Sequence, residues 1–81
     1  METVVVRTVY TLGSAVRAAR HEVGLTQTEL ARRAGVGRTW LSQFEDGQKT
    51  SAPIDMVFRL LAVLQLPVDI RAVDIRARDV L

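Results

Sequence analysis

The chain has 81 residues, 48% of them hydrophobic and 25% charged, a composition that predicts one small, soluble globular domain. Its formal net charge is only +2, yet the sequence pI is about 9.9 because arginine supplies ten of the eleven basic residues, a balance compatible with a polyanionic partner. The lack of cysteine excludes disulfides and thiolate metal sites. Because the sequence has no long apolar run and no signal peptide, we expect a cytoplasmic protein that does not span the membrane.

The N-terminal segment is rich in β-branched residues. Residues 3–10, "TVVVRTVY", favour a short strand, which the following "TLGS" ends. Ser14 is then expected to cap a first helix over residues 15–23, because apolar side chains recur there at helical spacing, and Gly24 ends it. Residues 1–11 are therefore predicted to be a β-prone segment that precedes the main domain.

Two short helices follow in close succession. Thr26 and Glu29 have the S/T-x-x-E spacing of a capping box, so a second helix is expected to begin there and to stop at Gly35. Its inward side chains are predicted to be Leu30, Ala31 and Ala34. A third helix is expected to begin near Gly37 or Arg38 and to end at Asp46–Gly47. Two helices joined by so short a turn predict a helix-turn-helix arrangement.

The fourth helix has the clearest periodicity in the chain. Pro53 suits the first helical position, and Pro67 prevents continuation. Apolar residues at i, i+3, i+4, i+7 and i+10 predict one buried stripe, with Phe58 in the core. The stripe consists of Ile54, Val57, Phe58, Leu61 and Leu64.

The C-terminal tail alternates apolar and polar residues. The sequence "VDIRAVDIRARDVL", residues 68–81, changes phase once, which predicts a bulged strand or two short strands. Such strands leave an apolar edge exposed unless they pair, either within one chain or between two chains. Residues 67–81 are therefore predicted to be a β-prone tail through which the protein forms a homodimer.

The third helix has one apolar face and one polar face. Because successive residues rotate by about 100°, Leu41 and Phe44 lie on one side. The opposite side carries Arg38, Thr39, Ser42, Gln43 and Asp46. Arginine can bond to guanine, glutamine to adenine, and a threonine methyl can contact thymine, although an ordinary solvated face is the alternative. Trp40 lies beside Phe44, so we expect it to be half-buried in packing against the second helix, with DNA stacking as the alternative.

The stretch "LTQTELARRAGVGRTWLSQFEDGQ" resembles the lambda-repressor-like (Xre/Cro) helix-turn-helix family. The matching pattern is L-T-Q-x-E-L-A, then A-G-V, then L-S-x-F-E-x-G, and with the flanking helices it covers residues 12–66. The resemblance implies a mainly α fold, a compact four-helix domain with short β-strand segments at the termini. It also implies a regulator that binds double-stranded DNA and dimerises on palindromic operators.

The same resemblance assigns roles to individual side chains. Base contacts fall to Arg38, Thr39 and Gln43, and phosphate contacts to Gln27 and Lys49. Apart from the resemblance, Thr26, Ser42 and Trp40 are candidates for further DNA contact. Gln27 matches a glutamine that bonds phosphate or braces the recognition helix. Glu45 matches a structural acidic residue. Gly37 departs from the serine or threonine frequent at its position, so a side-chain cap is missing there.

The helical body and β-prone tail together are similar to HipB-like antitoxins. That likeness implies a repressor of its own operon that acts at the nucleoid and binds a HipA-like kinase toxin. A helix-turn-helix adaptor for another protein and a stand-alone repressor are the alternatives. We expect neither an enzyme nor a cofactor or metal site, because the sequence contains no plausible catalytic triad and Gly35-Val36-Gly37 is a turn between helices.

Overall fold

The computed structural model describes residues 5–68, which form four α-helices. These are α1 (Val9–Glu22), α2 (Gln27–Ala34), α3 (Arg38–Glu45) and α4 (Ile54–Val63). The predicted mainly α, four-helix fold is confirmed. No strand occurs within the described range, and the predicted C-terminal strands fall almost wholly outside it. None of the described helices is long and apolar enough to cross a membrane.

Helix α1 begins six residues earlier than the sequence predicts. Thr8 is its N-cap, because the Thr8 hydroxyl accepts the backbone N–H of Thr11 at 3.1 Å and the Thr11 hydroxyl accepts the backbone N–H of Thr8 at 3.1 Å. The strand predicted over residues 3–10 is wrong at Val9 and Tyr10, which form the first helical turn, and residues 5–8 form no strand. Ser14 lies inside α1 and caps nothing. The reciprocal threonine cap satisfies two N-terminal donors and so outweighs the local β-propensity.

Helix α2 has the ends that its sequence predicts. The hydroxyl of Thr26 accepts the Glu29 N–H at 3.1 Å, and the Glu29 carboxylate accepts the Thr26 N–H at 3.0 Å. Gly35 ends the helix in the left-handed conformation, with φ at +70°. The three apolar residues predicted to face inward, Leu30, Ala31 and Ala34, are buried.

The core lies where α3 meets α1 and α2, and where α2 meets α4. Its largest fully buried side chains are Phe44, Leu30, Leu41, Leu60 and Val16. Helices α1 and α3 approach closely at Gly13, where an added β-carbon would overlap the backbone carbonyl oxygen of Phe44. Glycine is needed here because any side chain would lack space, and not because of φ, which is helical. The close contact fixes α3 against α1.

Helix α4 buries only part of the predicted stripe. Val57 and Leu64 are buried and Leu61 packs half-buried against the core, as predicted. However, Ile54 is 70% exposed and Phe58 is 47% exposed, and Leu60 is buried in addition. The prediction that Phe58 belongs to the core is therefore wrong. The helix is apolar around most of its circumference, so the sequence pattern admits more than one phase, and packing against α2 selects the one centred on Leu60.

Candidate nucleic-acid interface

Helix α3 turns a polar face outward, as its sequence predicts. Arg38 and Thr39 are exposed, and Ser42 and Gln43 are half-buried. The inward residues Leu41, Phe44 and Glu45 are all buried. Because the inward side chains are enclosed, the outward ones are held in a fixed orientation on a rigid helix.

A buried ion pair fastens the end of α3 to α1. The Arg20 Nε donates to Glu45 Oε2 at 2.9 Å, and its Nη2 donates to Glu45 Oε1 at 2.9 Å. The Arg20 side chain is 9% exposed and that of Glu45 is fully buried. Arg20 also donates through Nη1 to the carbonyl oxygen of Leu25, 2.9 Å away. A buried charge needs this degree of pairing to offset its desolvation.

Gln27 joins the same network from the start of α2. Its Nε2 donates to Glu45 Oε1 at 3.1 Å, so one carboxylate connects α1, α2 and α3. This hydrogen bond lets Gln27 brace α3, the role that the resemblance implies. Glu45 has a structural role, as expected. The bond engages one of the two donors of the Gln27 amide.

A shallow groove of about 440 Å³ lies beside this network. It joins the start of α2, at Thr26, Gln27 and Thr28, to Arg38 at the start of α3, with Arg20 and His21 on the α1 side. Backbone N–H groups at a helix N-terminus favour anions, and the arginine adds positive charge. The groove therefore brings predicted phosphate-contacting and base-contacting residues onto one continuous surface.

Trp40 and Lys49 lie at the edges of this surface. The Trp40 ring is half-buried and stacks on Phe44, with ring centroids 4.9 Å apart and an angle of 14° between the planes. The half-burial agrees with the expectation, and the stacking partner lies in α3 itself, so the expected packing against α2 stays a prediction. Lys49 is half-buried in the loop between α3 and α4. The DNA contacts predicted for both residues, and for Thr26 and Ser42, remain predictions.

Sequence reasoning did not identify Arg20. One signal was available, because Arg20 follows the core residue Val16 by four positions and so shares its helix face. An arginine on an apolar face requires a buried partner, but the sequence does not indicate that this partner is Glu45, 25 residues away. Among residues 5–68, no group of histidine, aspartate and glutamate side chains is arranged to hold a metal ion.

A short helix with a polar outward face, joined by a glycine turn to a braced preceding helix, defines a helix-turn-helix DNA-binding protein. The chain matches the helix-turn-helix domain family over residues 11–73. It also shares 39% identity over 67 residues with the uncharacterized HTH-type transcriptional regulator y4mF of Sinorhizobium fredii, covering 83% of this chain and 87% of the relative. This protein belongs to the helix-turn-helix domain family, and its fold is of the Xre-like type.

Two solved structures show the same architecture. The N-terminal DNA-binding domain of SinR from Bacillus subtilis is 31% identical, with a TM-score of 0.69 over 72% of this chain and 84% of that one. HipB in its O4 20mer complex is 25% identical, with a TM-score of 0.74 over 85% of this chain and 96% of that one. The described helices are thus the DNA-binding domain of a helix-turn-helix transcriptional regulator.

Proposed function

We propose that this protein is a sequence-specific transcriptional repressor whose residues Arg38, Thr39 and Gln43 contact base edges in the major groove of DNA. The observation that carries this proposal is the outward polar face of α3, held rigidly by its buried face. Arginine bonds bidentately to guanine, glutamine to adenine, and the threonine methyl contacts the thymine methyl. Ser42 and Trp40 lie close enough along α3 to add contacts at the border of this surface.

Phosphate contacts fix the protein on the duplex. In our proposal Gln27 and Thr26 bind a phosphate at the N-terminus of α2, and Lys49 binds another beyond α3. The groove at the start of α2 supports the first contact, because it combines a helix N-terminus with the positive charge of Arg38. Gln27 would bond phosphate through the amide donor that its contact with Glu45 leaves over.

The active form in this proposal is a homodimer on a palindromic operator. A chain of this size builds only a small core, and dimerisation is a common source of added stability. The alternating sequence of residues 67–81 is suited to pairing between two chains. Two recognition helices would then lie about 34 Å apart, one turn of the double helix.

We further propose an antitoxin role, in which the repressor controls its own operon at the nucleoid and binds a HipA-like kinase toxin in the cytoplasm. The likeness to HipB supports it, since it extends over 96% of that chain. A stand-alone repressor would make the same DNA contacts without the toxin. An adaptor without DNA binding fits less well, because an adaptor has no need of base-contacting side chains on α3.

The test of DNA recognition compares two arginine substitutions. Arg38→Ala removes a proposed base contact, and Arg59→Ala removes an exposed arginine of α4 as a matched control. Each variant is titrated by fluorescence anisotropy against DNA upstream of its own gene and against a scrambled duplex. We expect Arg38→Ala to lose about 1–3 kcal/mol of discrimination and to keep non-specific binding, with Arg59→Ala unchanged. A wild-type protein without preference for the upstream DNA would contradict the repressor proposal.

The antitoxin role has a separate test. Where an adjacent gene encodes a kinase-like protein, the two purified proteins are mixed and analysed by size-exclusion chromatography with light scattering. A stable complex that still binds the upstream DNA is the expected result. Separate elution of the two proteins would contradict the antitoxin role and favour a stand-alone repressor.

A further inference from the structure

An acidic residue lies at the end of the DNA-facing side of α3. Asp46 follows Thr39 by seven positions, about two helical turns, so the two residues lie on the same outward face. Asp46 is exposed and is the C-cap of the helix. Its carboxylate adds to the partial negative charge of the helix C-terminus and would repel a nearby phosphate. Docking this end of α3 against DNA therefore requires a compensating positive charge.

Arg17 of α1 supplies that charge. Its Nη1 lies 4.0 Å from Oδ1 of Asp46, and the two side chains are 55% and 46% exposed. A guanidinium has five N–H donors in a planar fork, and the contact with Asp46 engages one nitrogen. The remaining donors are available to an incoming anion at the exposed edge between α1 and α3.

The backbone of α1 at Arg17 is held in place by the packing of neighbouring residues. Val16 is fully buried, Arg20 is bound to Glu45, and Gly13 packs directly against the backbone of α3. These contacts fix the rotation of α1, so Arg17 must project beside the C-terminal end of α3. Its position follows from packing of the core and not from a weak surface ion pair.

We infer that Arg17 binds a backbone phosphate of DNA next to the C-terminal end of α3, and so extends the DNA-binding surface onto α1. This inference rests on the proposed function, because it requires α3 to face DNA. The contact carries no sequence information, since a phosphate is present at every step of the duplex. It offsets the negative charge of Asp46 and helps to set the depth of α3 in the major groove.

The test is the salt dependence of DNA binding by the 81-residue chain. Arg17→Gln removes the charge but keeps a long polar side chain, and Arg17→Lys keeps the charge. Arg59→Gln is the matched control, because Arg59 is also exposed and also pairs with an aspartate, Asp55, at 3.5 Å. Anisotropy titrations use the upstream DNA and a scrambled duplex, and thermal melts verify that each variant is folded.

We expect Arg17→Gln to make the slope of log K against log salt shallower by about 0.9 on both duplexes. If the variant and the wild type bind equally at 1 M salt, the variant then binds about eightfold more weakly than the wild type at 0.1 M salt. Arg17→Lys should keep the wild-type slope, and so should Arg59→Gln. An unchanged slope in folded Arg17→Gln, or an equal loss in Arg59→Gln, would overturn the inference.

The outcome also separates this inference from the proposed function. A wild-type chain that prefers the upstream DNA while Arg17→Gln keeps its slope refutes the Arg17 contact alone. A wild-type chain without preference refutes the repressor proposal, and a lowered slope in Arg17→Gln would still support the phosphate contact. A chain that binds neither duplex refutes both.

Discussion

Arg20 and Glu45 form a bidentate ion pair in the interior, with two N–O distances of 2.9 Å. The pair joins the last turn of α1 to the last residue of α3. Because Gln27 donates to the same carboxylate, the orientation of α3 depends on a fully buried charge. The loss of either partner leaves the other one buried and unpaired.

We therefore predict that Glu45→Ala or Arg20→Ala lowers the free energy of unfolding by about 3–5 kcal/mol. Urea denaturation followed by circular dichroism measures the change. The control is Asp55→Ala, which removes one partner of the exposed Arg59–Asp55 pair and should cost less than about 1 kcal/mol. Equal losses at both pairs would show that burial does not determine their contribution.

Two glycines should respond in opposite ways to the same substitution. Gly13→Ser places a β-carbon against the carbonyl of Phe44, so we expect a loss of about 3 kcal/mol. Gly37→Ser has room, since the nearest atom, Cβ of Trp40, is 3.9 Å away, and its hydroxyl can cap α3. It should raise the free energy of unfolding by a few tenths of a kcal/mol. Thermal melts of both variants measure the difference, and a tolerated serine at position 13 would contradict the close approach of α1 to α3.

The face that α4 buries can be tested with two truncations. Leu60→Ala creates a cavity in the core and should cost about 2–5 kcal/mol. Phe58→Ala removes a larger side chain, but one that is 47% exposed, and should cost about 1 kcal/mol in the monomer. Denaturation at low protein concentration is required, so that association does not contribute. A greater loss of stability in Phe58→Ala than in Leu60→Ala would show that Phe58 belongs to the core, as the sequence pattern predicts.

The cap of α2 should make stability depend on pH. The pKa of Glu29 lies below its ordinary value of 4.5, chiefly because its carboxylate accepts the backbone N–H of Thr26, and also because of the Thr26 hydroxyl and the charges of Arg33 and Arg32. Since the folded pKa is depressed, this contribution is complete above pH 4.5 and is lost as the pH falls through the folded pKa.

Melting temperatures of wild type and Glu29→Gln, measured between pH 7 and pH 2.5, test this dependence. The advantage of the wild type should be constant above about pH 5 and should shrink below pH 4.5. A difference that does not change across this range would mean that the carboxylate charge has no part in the cap.

Much of the architecture follows from local sequence. The capping box of Thr26 and Glu29 and the terminating Gly35 set both ends of α2, because each depends on residues only a few positions apart. The polar outward face of α3 follows from helical rotation alone. Local chemistry also explains the error at α1, since the Thr8–Thr11 cap lies within a β-branched run that favours strand.

The rest depends on contacts between distant residues. Whether Phe58 or Leu60 is buried is decided by where α2 meets α4, and the pattern of α4 alone does not fix that phase. The partner of Arg20 is 25 residues away, and Arg17 meets Asp46 across the α1–α3 contact that Gly13 permits. Such relationships appear only after the helices are packed.

The two faces of α3 also determine how this protein can change over evolutionary time. Leu41, Phe44 and Glu45 hold the helix, while Arg38 and Thr39 are exposed and take no part in the core. In our proposal this exposed pair contacts bases, so a lineage could exchange it and acquire a new target sequence without weakening the core. Under that proposal, selection can act on target preference and on fold stability separately, although both reside in a helix of only eight residues.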